Sequence, residues 1–590
     1  MSLGGLGAAR KKSEPHSRSV WVRNHSGFIE IYRTHTVRLC GSDFFRIGCL
    51  PRCFAVRHAV KNSKVLNAGL PRVLTSINRQ SLFFSATTRL SFFALLLIVS
   101  TVPRSAIGKT IVTSQRIQTI DRFVHIDPPK VGDSRYTYIA FTVPTHATNI
   151  KVSYQYDRAG GSNTIDIGLF DARFSGHDTD PRGFRGWSGG RRSEFFVARD
   201  EATPGYLKGA LSPGIWRIIL GLYQVAPTGV DVTFTISITT ADHVATKSPT
   251  SIGSSAIVEP RNQRASSNPA GRQNLHWFRG DLHMHTIHSD GDWTIDELVS
   301  SARNLGLDFI CITDHNTSSH HFEIDHLRRS FSLPLLLRGE EITTYGGHTN
   351  AWGLPSGTWI DFRVSPKDST RMSEVVTAVH RAGALISINH PFALCGGCAW
   401  TYDPAVRDFD AIEVWNGEWD VTDNLALMMW DKILQSGRRP TAIGSSDSHR
   451  PANPIGQPTT QVAARVASQA ALLNAIREGR VYLTREVALP VLKFEAETTR
   501  SKTRWMIGDE IHLSTPTTIR FLVSTTSIPG ATISLVSNGQ VLRSLSTTSD
   551  GQPQVIEIEC RTNSYYRLEV RDATKTMLAL TNPIYVKIGI

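Results

Sequence analysis

The chain has little cysteine, seven residues in 590, too few for a disulfide-built scaffold. It has no apparent internal repeat, which sets aside solenoids and propellers. It also lacks a clean apolar run of the ~20 residues that span a bilayer. The stretch Leu90-Ser-Phe-Phe-Ala-Leu-Leu-Leu-Ile-Val-Ser100 has only the length of a signal-peptide core, and extending it back to Ser81 places Arg89 inside it. Acidic residues are nearly missing from the first 110 positions. There, 17 Lys and Arg face 3 Asp and Glu, a balance of +14, so residues 111–590 carry −1 of the total +13. The basic character therefore belongs to the N-terminal segment and gives no support for nucleic-acid binding by the folded part.

Within that 1–108 leader, segment 89–108 reads as a signal peptide, with Ala106-Ile-Gly108 offering small residues at the cleavage site. Residues from Lys109 onward are expected to be exported, to a periplasm, the medium or a cell surface, with no stable membrane span in the mature chain. A signal peptide does not begin some eighty residues in, so we expect translation to start near residue 80. The rival reading is a true leader with a membrane anchor.

What the chain does have is a dense polar motif, Asp281-Leu-His-Met-His-Thr-Ile-His-Ser-Asp290-Gly, directly after a strand-like run. His283 and His285 alternate, so an extended backbone turns both rings to one face. Further polar residues close short apolar runs that read as buried parallel strands. These are Phe309-Ile-Cys-Ile-Thr-Asp314-His315, Leu335-Leu-Leu-Arg-Gly-Glu340-Glu341, Ala384-Leu-Ile-Ser-Ile-Asn-His390-Pro391 and Thr441-Ala-Ile-Gly-Ser-Ser-Asp447-Ser-His449. Between them lie helical patterns. The best runs from Thr294 to Leu307, with Ile295, Leu298, Val299, Ala302 and Leu305 on one face behind a Thr294/Glu297 capping box; Ser373–Arg381 and Asn424–Gln435 follow. Strand, ligand, loop and helix in repetition is the pattern of an α/β barrel whose site gathers at the strand tips.

On these residues, the segment from about Leu275 to Thr484 resembles the PHP (polymerase and histidinol phosphatase) metallohydrolases. The motifs are Asp281-Leu-His283-Met-His285, Ser289-Asp290-Gly291, Thr313-Asp314-His315, Gly339-Glu-Glu341, Asn389-His390-Pro391 and Asp447-Ser-His449. Gly347-His348, Trp352-Gly353 and Gly-Glu-Glu-Ile-Thr-Thr resemble the carbaryl-hydrolase-like (CehA/McbA) branch. The resemblance implies a distorted (β/α)7 barrel holding two or three divalent metals, zinc, manganese or iron. It implies a first metal on His283, His285, Glu341 and Asp447. Glu341 would bridge to a second on His348 and His390, and a third would sit on Asp290, His315 and His449. Glu340 competes with Glu341 for the bridge, and His288 stands where an aromatic is usual.

Imidazole with carboxylate suits Zn, Mn or Fe better than Ca. Such a site hydrolyses with a metal-activated water and needs no Ser or Cys nucleophile. Catalytic roles fall to Asp447 at the metal and to Arg450, placed to neutralise an anionic substrate. Asp281 and Asp314 are expected to orient ligand histidines, whereas His326 and His380 read as ordinary surface or core residues. Cys395-Gly-Gly-Cys398 could form a zinc or redox pair but reads better as a small disulfide beside the site, Cys311 as a core residue and Cys560 as free. Trp293, Trp352, Trp400, Trp415 and Trp419 crowd the loop side, either lining a pocket for an apolar group or packing loops.

Residues 110–245 and 490–590 alternate as short strands with Gly/Pro-rich turns, predicting an N-terminal β-sandwich or jelly roll and a C-terminal β-sandwich. Residues 246–274 form a linker, and the barrel occupies 275–488. Neither flanking module shows a ligand motif, so packing is favoured over sugar binding. Three functions are consistent with the sequence: an exported phosphoesterase, a carbamate, ester or amide hydrolase, and a non-catalytic surface-binding protein on the same scaffold. The expected partner of the first two is a small-molecule ester.

Overall fold

The computed structural model describes residues 20–24, 27–31, 115–241 and 274–589, with short breaks at 131, 331–333, 404–405, 407, 489–490, 500, 527, 529 and 548–551. The signal-peptide segment 89–108 and nearly all of the 246–274 linker lie outside the described residues. Residues 1–112 and 113–590 form two compact units. In the first, Val20–Asn24 and Gly27–Ile31 pair as an antiparallel hairpin. No helix among the described residues is long and apolar enough to cross a membrane.

The second unit begins with two four-stranded antiparallel sheets. One has the order Gln115–Ile126, Val230–Ala241, Ala147–Tyr156, Glu194–Ala198; the other Tyr136–Val143, Gly214–Gln224, Thr164–Phe170, Phe184–Gly189. Alternate residues such as Ile150, Val152, Ile165, Ile167, Trp216 and Phe234 meet in one core, as strands with one buried face require.

The site-bearing sheet is built from His276–Asp281 (β1), Phe309–Ile312 (β2), Leu335–Thr344 (β3), Gly347–Trp352 (β4), Leu385–Ile388 (β5), Ala411–Asn416 (β6), Thr441–Ser445 (β7), Thr459–Ala464 (β8) and Val481–Thr484 (β9). Strands β1, β2 and β3 are parallel, as are β5, β6 and β7, while β4 runs antiparallel between β3 and β5. At the other edge β8 pairs antiparallel with β1 and with β9. Beyond their tips β1 and β7 meet through a Met284–Ser448 bridge. All the parallel strand ends thus face one region.

The helices are Ile295–Leu305 (α1), His321–Leu327 (α2), Ser369–Arg381 (α3), Val421–Gln435 (α4) and Gln469–Arg477 (α5). Helix α1 starts at the predicted box, with Thr294 and Glu297 capping each other's backbone, and stops at Gly306 with φ +74°. Leu305, expected on the buried face, is exposed. The left-handed Gly306 turns the chain so that Leu307 takes the core position instead. Helices α3 and α4 begin about one turn earlier than their apolar patterns suggest, at caps Asp368 and Asp420.

The expected break at 488–490 is not a break in the sheet. Strand β9 pairs with Met577–Thr581, which carries the ladder into Ser564–Arg571 and Thr532–Ser537. Apolar side chains of this C-terminal region, including Phe494, Phe521, Ile533 and Leu568, form their own core.

Candidate active site

The tips of β1 to β7 bring all nine expected metal ligands into one cluster. His283 and His285 lie just past the end of β1, on extended backbone fixed by the Met284–Ser448 bridge. His315 follows β2, Glu341 lies on β3 and His348 on β4. His390 follows β5, and Asp447 and His449 follow β7. His390 and Asp447 adopt φ of +24° and +51°, a strained region for residues with a Cβ that recurs where a side chain must be aimed.

His283 Nε2 lies 3.2 Å from Asp447 Oδ1 and 3.3 Å from Glu341 Oε1. His285 Nε2 is 3.0 Å from the same Asp447 oxygen and 3.5 Å from Glu341 Oε2. His390 Nε2 and His348 Nδ1 approach Glu341 Oε1 to 3.3 and 3.1 Å, and His315 Nδ1 approaches Oε2 to 2.7 Å. Asp290 Oδ1 sits 3.3 Å from His449 Nε2 and 3.5 Å from His315 Nε2. Three groups have ligand atoms mutually within 4.8 Å: His283, Glu341 and His390; His283, His285 and Asp447; His285, Asp290, His315 and His449. His348 falls outside these groups, although its Nδ1 lies 3.1 Å from Glu341 Oε1.

The donor set fits divalent cations. His283 Nε2, His285 Nδ1, Asp290 Oδ1, Glu341 Oε2 and His390 Nδ1 are buried without a hydrogen-bond partner. Buried polar atoms that crowd together without hydrogen-bond alignment are costly unless a further group satisfies them. Mixed imidazole and carboxylate is a borderline ligand set.

Burial opposes charge throughout, and the cluster's own contacts decide the outcome. Against that opposition, His283 and other histidines hold the Glu341 and Asp447 carboxyls well below the usual range. Burial pulls His283 down, but Asp447, Glu341 and Glu413 carry it well above an ordinary imidazole. Glu341 and Asp290 likewise lift His315 to about 9. His285 goes the other way, to about 4, because burial and the adjacent His449 and His315 all disfavour its proton.

Glu340 and Glu341 alternate across β3, so they face opposite sides. Glu341 enters the cluster. Glu340 points away, accepts the Ile360 N–H at 2.9 Å, and burial pushes its carboxyl well up. His288 also turns away, to Ser319 Oγ at 2.8 Å and Glu323 Oε2 at 3.3 Å.

The expected orienting residues act on backbone and hydroxyl groups rather than on the rings of the cluster. Asp281 accepts the N–H groups of His283, Ser446 and Gly456, tying β1 to the loop after β7. Asp314 accepts from Thr286 N, Thr286 Oγ1 and Ser289 Oγ, setting the His283–Ser289 turn. The group that holds a ring is Glu413, which the sequence reading missed. Its Oε1 lies 3.0 Å from His283 Nδ1, leaving Nε2 for the cluster, and its Oε2 accepts the His390 N–H and Asn416 Nδ2. Asn416 also reaches Asp447 Oδ2 at 3.3 Å. The only local signal was a carboxylate inside the apolar run Ala411-Ile-Glu-Val-Trp.

Over the cluster opens a cleft of about 600 Å³, lined by Asp290, His315, Glu341, His348, His390, Asp447, His449 and the exposed Arg450. Its opposite wall comes from the N-terminal sheets, through Asp166, Trp187, Gly189, Gly190, Arg191 and Tyr223, a contribution the sequence did not reveal. Cys395 and Cys398 are disulfide-linked in the loop after His390 and line the mouth. Cys311 and Cys560 are free and buried. The five tryptophans do not line the cleft. Trp352 and Trp415 are fully buried, Trp293 donates to Ser448 Oγ, Trp400 packs against Tyr402, and Trp419 packs against Trp415. His380 pairs with Asp410 at 2.9 Å, and His326 is exposed beside Arg329.

Residues 281–383 match the PHP domain family, and residues 438–481 the PHP-associated family. Among solved structures the chain is similar to a two-domain protein from Bacteroides vulgatus containing a predicted PHP-like metal-dependent phosphoesterase, at 18% identity over 55% of this chain and 99% of that one, with TM-score 0.33. It is also similar to an amidohydrolase from Chromobacterium violaceum with bound sulfate and no metal, at 16% identity over 30% and 89%, with TM-score 0.23. A search of curated proteins finds no match. Of the nine expected ligands, all but His390 fall inside the segments that match the PHP domain and PHP-associated families.

Proposed function

We propose that this chain is an exported metal-dependent hydrolase of the PHP type, acting on a phosphoester. The observation that carries the reading is the convergence of His283, His285, Glu341 and Asp447 on one largely buried point, where His283 Nε2 and Glu341 Oε2 have no hydrogen-bond partner. In this reading those four would hold a first cation, Glu341 with His348 and His390 a second, and Asp290, His315 and His449, with His285 adjacent, a third. Zn, Mn and Fe all suit the set. Bound there, such ions supply Lewis acidity to a phosphoryl oxygen and lower the pKa of a bound water.

The chain's own residues do the rest. Glu413 keeps His283 Nδ1 engaged, and Asn416 steadies Asp447. Arg450 has no carboxylate partner among the described residues and attracts an anionic substrate into the cleft. We read the site-bearing sheet as a distorted seven-stranded barrel over 275–488 and the flanking modules as β-sandwiches. The Cys395–Cys398 disulfide favours an oxidising compartment, in line with export through segment 89–108. Recovery of peptides from residues 1–75 of the native protein by mass spectrometry would refute a start near residue 80.

A second reading keeps the cluster and changes the ester. Hydrolysis of a carbamate, carboxyl ester or amide, as in the CehA/McbA-like branch, is favoured by Tyr223 and Tyr345 in the cleft wall. Metal content of the purified full chain, together with phosphodiester and carboxyl-ester assays with and without chelator, tests both. Two or three equivalents of metal with chelator-sensitive phosphodiester turnover is the expected result. Turnover of the carboxyl ester alone selects the second reading. A folded protein that takes up no metal and turns over neither ester makes the scaffold non-catalytic.

A further inference from the structure

We infer that the N-terminal β module selects the leaving group: Asp166, pinned by Tyr345, accepts a hydroxyl of a polyol or sugar ester whose phosphoryl end lies at the histidine cluster. The inference rests on the phosphoesterase reading above and adds to it a substrate class.

Asp166 lies on the strand Thr164–Phe170, is 9% exposed and lines the cleft opposite the cluster. Its Oδ2 accepts the Tyr345 hydroxyl at 2.7 Å. Its Oδ1 has no hydrogen-bond partner among the described residues. The residue is nearly buried, yet Oδ1 opens to the cleft, where a substrate hydroxyl can donate to it.

The surroundings keep that oxygen accessible. Above it lie Gly189, with φ +53°, and Gly190; a Cβ on Gly190 would sit 3.3 Å from Asp166 Oδ1 and close the shelf. On the other side a Cβ on Gly221 would meet the Tyr345 hydroxyl at 2.0 Å, so only glycine there lets the tyrosine reach the carboxylate. Tyr345 stands in the turn between β3, which carries Glu341, and β4, which carries His348. Its hold on Asp166 therefore fixes the carboxylate's position relative to the cluster. Tyr136 stacks on Tyr345 at 5.6 Å and Tyr223 meets it edge-on at 5.9 Å, which removes its freedom to swing.

Charge decides the kind of donor. Arg450 lines the same cleft, with Arg191 paired to Asp292 at 2.6 Å, which suits an anion at the metal end with a neutral hydroxyl at Asp166. The volume suits a small ester.

The test compares glycerol phosphate with propyl phosphate, and their methyl diesters, pairs that differ in the hydroxyls of the leaving group. Wild-type metal-loaded enzyme is expected to favour the glycerol ester by about 30-fold or more in kcat/KM, since a site built around a hydroxyl rejects the analogue without it. In Asp166→Ala that ratio should fall to about 3-fold or less through KM, with metal content unchanged, and Asp166→Asn should restore part of it. Should Asp166→Ala fail to fold, Gly190→Ala keeps the carboxylate but sets a methyl group 3.3 Å from its Oδ1 and should also depress the ratio. An equal ratio in wild type and variants, or equal losses on both esters, overturns the inference while leaving the phosphoesterase reading intact. No turnover of any of these esters and no binding of inorganic phosphate by wild-type protein overturns both.

Discussion

The two β modules that flank the site-bearing sheet are alike in being built almost wholly of strands and unlike in attachment. The N-terminal one joins through a shared apolar core, in which Phe170, Phe184, Trp187 and Ile219 pack with Ile342, Phe362 and Val376. A polar clasp accompanies it. The buried Arg363 forms a bidentate pair with Asp361 and reaches Asp180 O and Tyr138 Oη. The C-terminal module joins by continuing the sheet from β9, and by the buried pair of Arg567 with Asp431 on α4, 2.6 Å apart. Among the described residues it supplies nothing to the cleft, whereas the N-terminal module supplies a wall. Placement at the strand tips makes one module part of the chemistry, and placement along the sheet's far edge makes the other architecture.

Neither module supplies the centre itself, and breaking that centre should have the largest effect. Glu341→Ala is expected to lose at least one equivalent of metal and roughly 1,000-fold in kcat, while Glu340→Gln, facing the other way, keeps its metal; equal metal loss in both would place the bridge wrongly. Next in size, Arg567→Ala strands Asp431 and should cost about 3–5 kcal/mol in a denaturant titration with kcat of the folded fraction unchanged. A matching fall in kcat would make the C-terminal module part of the site. Glu413→Gln weakens the hold on His283 and should reduce metal affinity about 10–100-fold by competition with a chelating dye.

Acidity gives a smaller, graded effect. His315 holds its proton to about 9 in the metal-free protein, so a cation must displace it, and metal affinity should rise with pH up to about 9. The same raised pKa means that His315's contribution to metal-free stability is complete below the ordinary imidazole value near 6.5 and is lost as pH rises through about 9. A pH-independent metal affinity would contradict this. The smallest effect belongs to the cleft mouth. Cys395→Ser opens a four-residue ring and should lower stability by about 2 kcal/mol or less, with metal stoichiometry unchanged.

Much of the centre was legible because its signals are local. Polar residues ending apolar runs located the strand tips, and the Thr294/Glu297 box located α1. What was hidden depends on distant partners. Glu413 meets His283 across 130 residues, and Asp166 meets Tyr345 across 179; within their own strands both read as isolated carboxylates. The antiparallel turn of β4 was invisible because Gly347–Trp352 is buried on both faces and shows no alternation. Leu305 misled because a Gly306 stop shifts the apolar stripe to Leu307. The module boundary near 489 was drawn where short alternating strands resume, and the hydrogen-bond ladder crosses it.

That ladder has a consequence for anyone trimming the gene. A chain ended near residue 488 retains every histidine and carboxylate of the cluster, yet it leaves the outer rim of Val481–Thr484 with bare amide and carbonyl groups. Such a rim is a template for another copy's strand. The shortened protein would be lost to self-association before its chemistry could be assayed.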